Sequence, residues 1–388
     1  MNRIAKLIAH LCPDGVEFRA IGEIAECYSG ATPASGIAAY WEDGSIPWMS
    51  SGEVNKGIVY DTDKKITQAG FDSCSTKMVP PNAVVMALAG QGKTRGMVAR
   101  TRLSLCTNQS LCSIVCNETV NSDFLYYFLS TQYQQLRSVS AGDGTRGGLN
   151  LQMIRSFRVP VPPVEVQREI VQVLDAFTAL EAELEAELEA RRRQYGTYRD
   201  RLLAFNGRDD IRWATLGEVA TFRRGTAITQ KGTTDGKIPV VANAPSPIYF
   251  HGESNRWGET IVIARSGAYS GLVSFWNQPI FLTDAFSVHP DTKLLKPRFV
   301  YYFLQNQQEQ IHAMKKGSGV PHVRVKDFES FNVPIPSLEE QARIVAILDK
   351  FDALVNDLTS GLPAEINGRR QQYEHYRNRL LTFPEAEQ

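Results

Sequence analysis

The chain says nearly the same thing twice. Phe124-Leu125-Tyr126-Tyr127-Phe128-Leu129 returns as Phe299-Val300-Tyr301-Tyr302-Phe303-Leu304, and Ser156-Phe157-Arg158-Val159-Pro160-Val161-Pro162 returns as Ser330-Phe331-Asn332-Val333-Pro334-Ile335-Pro336. Further on, Tyr195-Gly196-Thr197-Tyr198-Arg199-Asp200-Arg201-Leu202-Leu203-Ala204-Phe205 pairs with Tyr373-Glu374-His375-Tyr376-Arg377-Asn378-Arg379-Leu380-Leu381-Thr382-Phe383, after a shift of a few residues. One unit was duplicated. The expected product is a molecule with a pseudo-two-fold internal repeat, which suits a ligand with two related halves.

At 388 residues the chain is long enough for two or more domains, and the repeat raises the expected segments to four. Lys and Arg number 42 together, as do Asp and Glu, so the formal net charge is zero. No global basic field marks a nucleic-acid binder, and any such surface must be local, with other subunits sharing the phosphate contacts. Cys12, Cys27, Cys74, Cys106, Cys112 and Cys116 all fall in the first copy without a C-x-x-C pair. A disulfide framework or structural zinc would be expected in both copies, so free thiols are expected. Met1 to Leu11 has only a short apolar run broken by His10, and no long apolar span follows. A cytoplasmic protein without membrane contact is the expectation.

Each copy opens on a short strand entering a turn, at Val16 to Ala25 and at Ile211 to Ala220. The stretches that follow are rich in Gly, Pro, Asn and Ser, with buried-strand runs at Ala83 to Leu88 and Thr260 to Ala264 and helical spacing in the YYFL blocks. After a Val-Pro-x-Pro hinge the pattern becomes a long helix from near Pro163 to Phe205. Ile170, Leu174, Phe177, Glu181, Leu184, Leu188, Arg191, Tyr195, Tyr198, Leu202 and Phe205 advance by alternating fours and threes, which is a coiled-coil seam. Its length, about 60 Å at 1.5 Å per residue, is that of a strut. The second copy repeats the seam at Ile344, Leu348, Phe351, Val355 and Leu358, breaks at Ser360-Gly361-Leu362-Pro363, and resumes at Tyr373. The expected fold is α+β: two mixed α/β domains, 1–160 and 207–336, alternating with helical regions 161–206 and 337–388. The two helical regions are expected to pair as an antiparallel coiled coil.

Gly90-Gln91-Gly92-Lys93-Thr94 after an apolar run has the look of a phosphate-binding loop, but the required first glycine is Ala87 and the residues beyond run into Gly96. A strand-to-strand loop is expected. His10, His251, His289, His312, His322 and His375 form no H-E-x-x-H, and neither a G-x-S-x-G elbow nor a G-x-G-x-x-G fingerprint follows a strand. No catalytic residue, metal ligand or cofactor-binding residue is expected in this chain. What remains is polar, glycine-bearing loops in matching places: Gly90 to Arg95 and Gly142 to Asn150 in the first copy, Arg265 to Gly271 and Lys315 to Gly319 in the second. Their side chains suit phosphates and base edges, although ordinary solvent loops share the composition.

With these features assembled, the chain resembles, over its whole length, the specificity subunit of type I restriction-modification systems. The resemblance rests on Pro47-Trp48-Met49-Ser50-Ser51-Gly52-Glu53-Val54, Gly90 to Gly96, Thr107-Asn108-Gln109-Ser110-Leu111, the Val-Pro-x-Pro hinges and the Gln-Tyr-x-x-Tyr-Arg-x-Arg-Leu-Leu endings. It implies two target-recognition domains that each read half of a bipartite double-stranded DNA site through the major groove. It also implies helical spacers that set the separation and dock two methyltransferase subunits. Those partners would bind S-adenosylmethionine and methylate adenine, and two endonuclease subunits, where present, would use ATP and magnesium. The two domains differ, Ile46-Pro47-Trp48-Met49 against Ile238-Pro239-Val240-Val241-Ala242-Asn243, which implies different half-sites and an asymmetric target. The residues expected at DNA are Lys93, Thr94, Arg95 and Arg146 in the first domain and Arg224, Arg265, Ser266, Tyr269, Lys315 and Lys316 in the second. The competing classes are a coiled-coil scaffold without DNA binding and a nucleotide hydrolase using Lys93.

Overall fold

A computed structural model of the chain describes residues 2–90, 94–139, 148–315, 321–357 and 359–386. They fall into two compact units, Met1–Glu183 with Asn367–Gln388, and Leu184–Ile366. A similar succession of strands and helices builds both.

In the first unit a five-stranded sheet runs in the order Ala25–Ser29, Leu111–Cys116, Val84–Ala87, Val98–Thr101, Ile58–Val59, and a three-stranded sheet in the order Lys64–Ile66, Ile46–Met49, Cys106–Thr107. The second unit has Ala220–Arg224, Ala285–Pro290, Glu259–Ala264, Val273–Asn277, and beside it Tyr249–His251, Ile238–Val241, Phe281–Leu282. Strand for strand the orders agree, and the parallel pairing of Trp48 with Cys106 recurs as that of Val240 with Phe281. Only Ile58–Val59 lacks a counterpart among the described residues.

The central strand Val84–Ala87 is apolar throughout and buried, because both its faces are covered. Successive side chains point to opposite faces, so Val84 and Met86 join one core with Phe124, Phe128 and Leu129, while Val85 and Ala87 join another with Met49, Val54 and Leu105. In the second unit Ile261 and Ile263 pack with Phe299 and Phe303, and Val262 packs with Val241 and Leu282. The YYFL blocks form the helices Ser122–Thr131 and Pro297–Asn306. Asn121 caps the first, its side-chain oxygen accepting from the amides of Asp123 and Phe124. Pro297 opens the second, where its missing N–H costs nothing.

The Val-Pro-x-Pro segments, read from sequence as hinges, begin as strands. Arg158–Pro160 pairs antiparallel with Phe18–Ala20, and Asn332–Ile335 with Arg212–Thr215. Two-stranded ribbons are all edge, so the prolines fit without breaking a central ladder.

The central helix spans Val164–Leu202, three residues short of the expected end at Phe205, and the last region divides into Leu338–Asn356 and Gly361–Leu380. At the break Gly361 has φ +76°, and a Cβ there would lie 2.5 Å from the Ala353 carbonyl oxygen. Asp357 accepts from the Thr359 amide and from the hydroxyls of Thr359 and Ser360, which hold its carboxyl down at about 2. In the first unit Phe177 packs on Tyr373 and Tyr376, and Glu181 pairs with Arg370. In the second, Tyr195 and Tyr198 stack on Phe351, and Arg208 pairs with Glu340. In the first unit partner numbers fall as the central helix rises, from Tyr373 and Tyr376 at Phe177 to Arg370 at Glu181, so that pairing is antiparallel. The seam residue Leu358 lies outside the described residues.

Candidate nucleic-acid interface

Three neighbouring strands of the second unit end at one place. Arg224 closes Ala220–Arg224 opposite Phe286, Asp284 precedes Ala285–Pro290, and Arg265 follows Ala264, which is paired with Ala285. A bridge from Ser266 to His322 brings a fourth segment alongside, and Val323 donates its amide to the Arg265 carbonyl oxygen. The result is a groove of about 830 Å³ lined by Arg224, Arg265, Ser266, His322, Arg324 and Lys326. A second depression of about 810 Å³ shares Arg224 and Arg265 and adds Asp284 and Thr229. Sequence-distant cations and hydrogen-bonding groups converge on a concave surface, which suits a phosphate backbone with base edges beside it.

In the second depression Asp284 organises the polar groups. Its carboxylate accepts from the Ser266 hydroxyl at 2.6 Å and from the Asn243 amide at 3.2 Å, and it pairs with Arg265 at 3.6 Å. Asp284 holds φ +32°, an uncommon conformation for a residue with a Cβ. Gly225 lets the turn approach: a Cβ there would lie 2.7 Å from the Leu282 carbonyl oxygen. Behind the strand, buried Arg256 donates to Ser287 Oγ and to the carbonyl oxygens of Arg223, Arg224 and Asn255. Burial, Arg223 and Arg256 together hold His289 down at about 4. Asn243, Asp284, His322, Arg324 and Arg256 were not among the expected site residues.

The first unit carries other residues at the equivalent positions. Ser29 ends Ala25–Ser29 where Arg224 stands in the second copy, and Leu88 stands where Arg265 does, its carbonyl oxygen accepting from the Leu149 amide. Gly30 permits the same close turn, a Cβ there meeting the Thr107 carbonyl oxygen at 1.8 Å. Thr32 donates to the Gln109 side chain at 2.5 Å. The motif around Trp48 is structural: the buried indole donates to the Ala31 carbonyl oxygen at 3.0 Å. Buried Glu53 accepts from the amides of Ser50 and Asp63 and from Lys56.

Thr94 and Tyr269 occupy the same turn position, since the amide of Met97 bonds to the Thr94 carbonyl oxygen and that of Leu272 to Tyr269. Tyr269 is exposed, and Arg95 beside Thr94 is half-buried. Lys315 follows the helix Gln308–Ala313, apart from the groove lining. Lys93, Arg146 and Lys316 lie outside the described residues. Past residues 91–93, which lie outside the described residues, the chain enters Val98–Thr101, antiparallel to Val84–Ala87, where a phosphate-binding loop would open into a helix. Among the described residues no helix is long and apolar enough to cross a membrane, and no His, Cys, Asp and Glu cluster could hold a metal ion. The six cysteines are unpaired by disulfides.

A family model described as type I restriction modification DNA specificity domain matches residues 13–190 and 209–368. The chain is 32% identical over 293 residues to the type I restriction enzyme EcoR124I/EcoR124II specificity subunit of Escherichia coli, covering 68% of this chain and 71% of that protein. It is 28% identical over 374 residues to the EcoprrI specificity subunit of the same species, covering 89% of each. A solved type I S subunit from M. genitalium superposes with a TM-score of 0.63 at 18% identity, over 95% of this chain and 96% of that one. The HsdS subunit from Thermoanaerobacter tengcongensis gives 0.52 at 17% identity, over 96% and 97%. These two structures carry the fold alone. The family match over both copies and the length of the similarity to curated subunits lead to one conclusion: the chain belongs to the type I restriction-modification specificity subunits, non-catalytic proteins whose partner subunits carry the catalytic activity.

Proposed function

We propose that the chain reads an asymmetric, two-part double-stranded DNA site in the cytoplasm. In this reading residues 1–160 and 207–336 each take one half-site, and the helical regions 161–206 and 337–388 set the spacing. Those regions dock two methyltransferase subunits, which bind S-adenosylmethionine and methylate adenine. Two endonuclease subunits using ATP and magnesium join where they accompany the system.

The observation that supports this most is the contrast at one sheet end. The frame is the same in both units, yet one presents Arg224 and Arg265 where the other presents Ser29 and Leu88. Base identity is read by side chains on a scaffold that positions them, so equal scaffolds with unequal tips fit unequal half-sites. Arg224, Arg265 and Ser266 are the assigned contacts in the groove, with Thr94, Arg95, Tyr269 and Lys315 on the loops and Lys93, Arg146 and Lys316 on the segments outside the described residues.

The test is methylation of DNA by the chain co-expressed with its modification subunit. A defined two-part motif is expected, and Arg224→Ala with Arg265→Ala should weaken or relax one half only. Methylation without a sequence motif, or equal loss at both halves, overturns the reading.

A further inference from the structure

In each unit one carboxylate of the helix accepts two hydrogen bonds from the globular part. In the first, Asp175 of the central helix accepts from the Tyr127 hydroxyl at 2.5 Å and from Arg100 at 2.8 Å. In the second, Asp349 of the helix Leu338–Asn356 accepts from the Tyr302 hydroxyl at 2.5 Å and from Arg298 at 2.8 Å. Both donors converge on the same oxygen, Oδ1, in each case. Each guanidinium also lies over two tyrosine rings, Tyr126 and Tyr127 or Tyr301 and Tyr302.

The two arginines come from different elements. Arg100 lies on the strand Val98–Thr101, at the position that Phe275 holds in the second unit. Arg298 is the second residue of the helix Pro297–Asn306, at the position that Asp123 holds in the first. Phe275 then serves as a further ring beneath Arg298, at 4.5 Å, and Asp123 as a further anion beside Arg100, at 3.1 Å. The copies have diverged at both positions, yet a cation stands on the tyrosine–carboxylate pair in each. What is kept is the joint, reached by two routes.

Apolar contacts between a domain and a helix tolerate sliding, whereas two directional hydrogen bonds converging on one oxygen do not. We infer that Asp175 and Asp349 are positioning residues that fix the angle of each recognition domain on its helix, so that the separation of DNA half-sites is selected at these joints as well as by helix length. The inference rests on the reading of a bipartite DNA target given above.

The test uses the chain with its modification subunit and a series of duplexes that keep both half-sites and change the spacer by one base pair either way. Asp175→Asn, Asp349→Asn and Arg100→Phe should each raise methylation at the altered spacers relative to the native one by roughly fivefold, a factor of the size that loss of one such contact gives, with the half-site sequences unchanged. The combined variant Arg100→Phe, Arg102→Asn, Asp123→Arg transplants the second unit's arrangement into the first. It includes Arg102 because that side chain pairs with Asp123, while the equivalent residue is Asn277. It should restore the native spacer choice. Folded single variants with unchanged spacer choice, or a folded transplant that stays relaxed, overturn the inference. If Arg100→Phe does not fold, the transplant and Asp349→Asn decide. Absence of any motif with the wild-type chain would instead fail the underlying DNA reading.

Discussion

Arg256 donates from its guanidinium to the carbonyl oxygen of Arg224 at 2.7 Å, and to that of Arg223 at 3.1 Å. Burial and the charge of Arg223 push its pKa below the ordinary guanidinium range. Arg256 donates to carbonyl and hydroxyl oxygens, so a buried cation holds the strand end that presents Arg224. Arg256→Met should strip the guanidinium donor from the Arg224 carbonyl oxygen and destabilise the second unit by about 2–3 kcal/mol. Urea denaturation followed by the fluorescence of Trp213, Trp257 and Trp276 would measure the loss, and an unchanged midpoint would contradict it.

Gln167 and Gln341 predict a matched pair of losses. Each is fully buried, and each side-chain oxygen accepts the amide that precedes a YYFL helix, Asn121 or Lys296. Each side-chain nitrogen donates to two carbonyl oxygens, Thr119 and Pro162 in one copy and Leu294 and Pro336 in the other. Gln167→Leu or Gln341→Leu should cost about 2–4 kcal/mol, because one amide and two carbonyls lose their partners together. Hydrogen exchange should quicken at Asn121 in the first variant and at Lys296 in the second. Exchange at wild-type rates would show that the clamp is dispensable.

The pH dependence follows from His289. Its folded-state pKa of about 4 lies below the usual 6.5, because burial and the charges of Arg223 and Arg256 disfavour the imidazolium. Between those values the unfolded chain binds more protons than the folded one, so stability falls as pH drops through that window and levels off beneath it. The contribution is about 1–2 kcal/mol after allowance for partial exposure. His289→Gln should flatten the dependence of the urea midpoint between pH 6.5 and 4. An identical slope in the variant would assign the acid sensitivity elsewhere.

The central helix supplies a prediction about length. Inserting seven residues between Glu181 and Glu189 preserves the seam and adds about 10 Å. The methylated motif should then keep both half-sequences and change only its spacer. Sequencing the methylated bases of a host carrying the insertion would decide, and altered half-sequences would contradict the helix's role as a ruler.

Much of the frame was legible because periodicity encodes it. The apolar run at Val84–Ala87, the seam through Leu174 and Tyr195, and the break at Gly361 each leave a local pattern. The groove was legible only in part. Arg224, Arg265 and Ser266 stood out as polar residues beside glycines, whereas Asp284 and Asn243 join them through strand ends that lie far apart in sequence. Gln167 and Gln341 did leave a signal, a glutamine at matching places after the two proline segments. The Arg100 and Arg298 joints left none to a comparison of copies, since the cation changed elements between them.

The ribbons that pair Phe18–Ala20 with Arg158–Pro160, and Arg212–Thr215 with Asn332–Ile335, make the first and last strands of each globular segment neighbours. A segment that enters and leaves through one paired doorway can be replaced whole at two adjacent points of the chain, with the helices that follow left untouched.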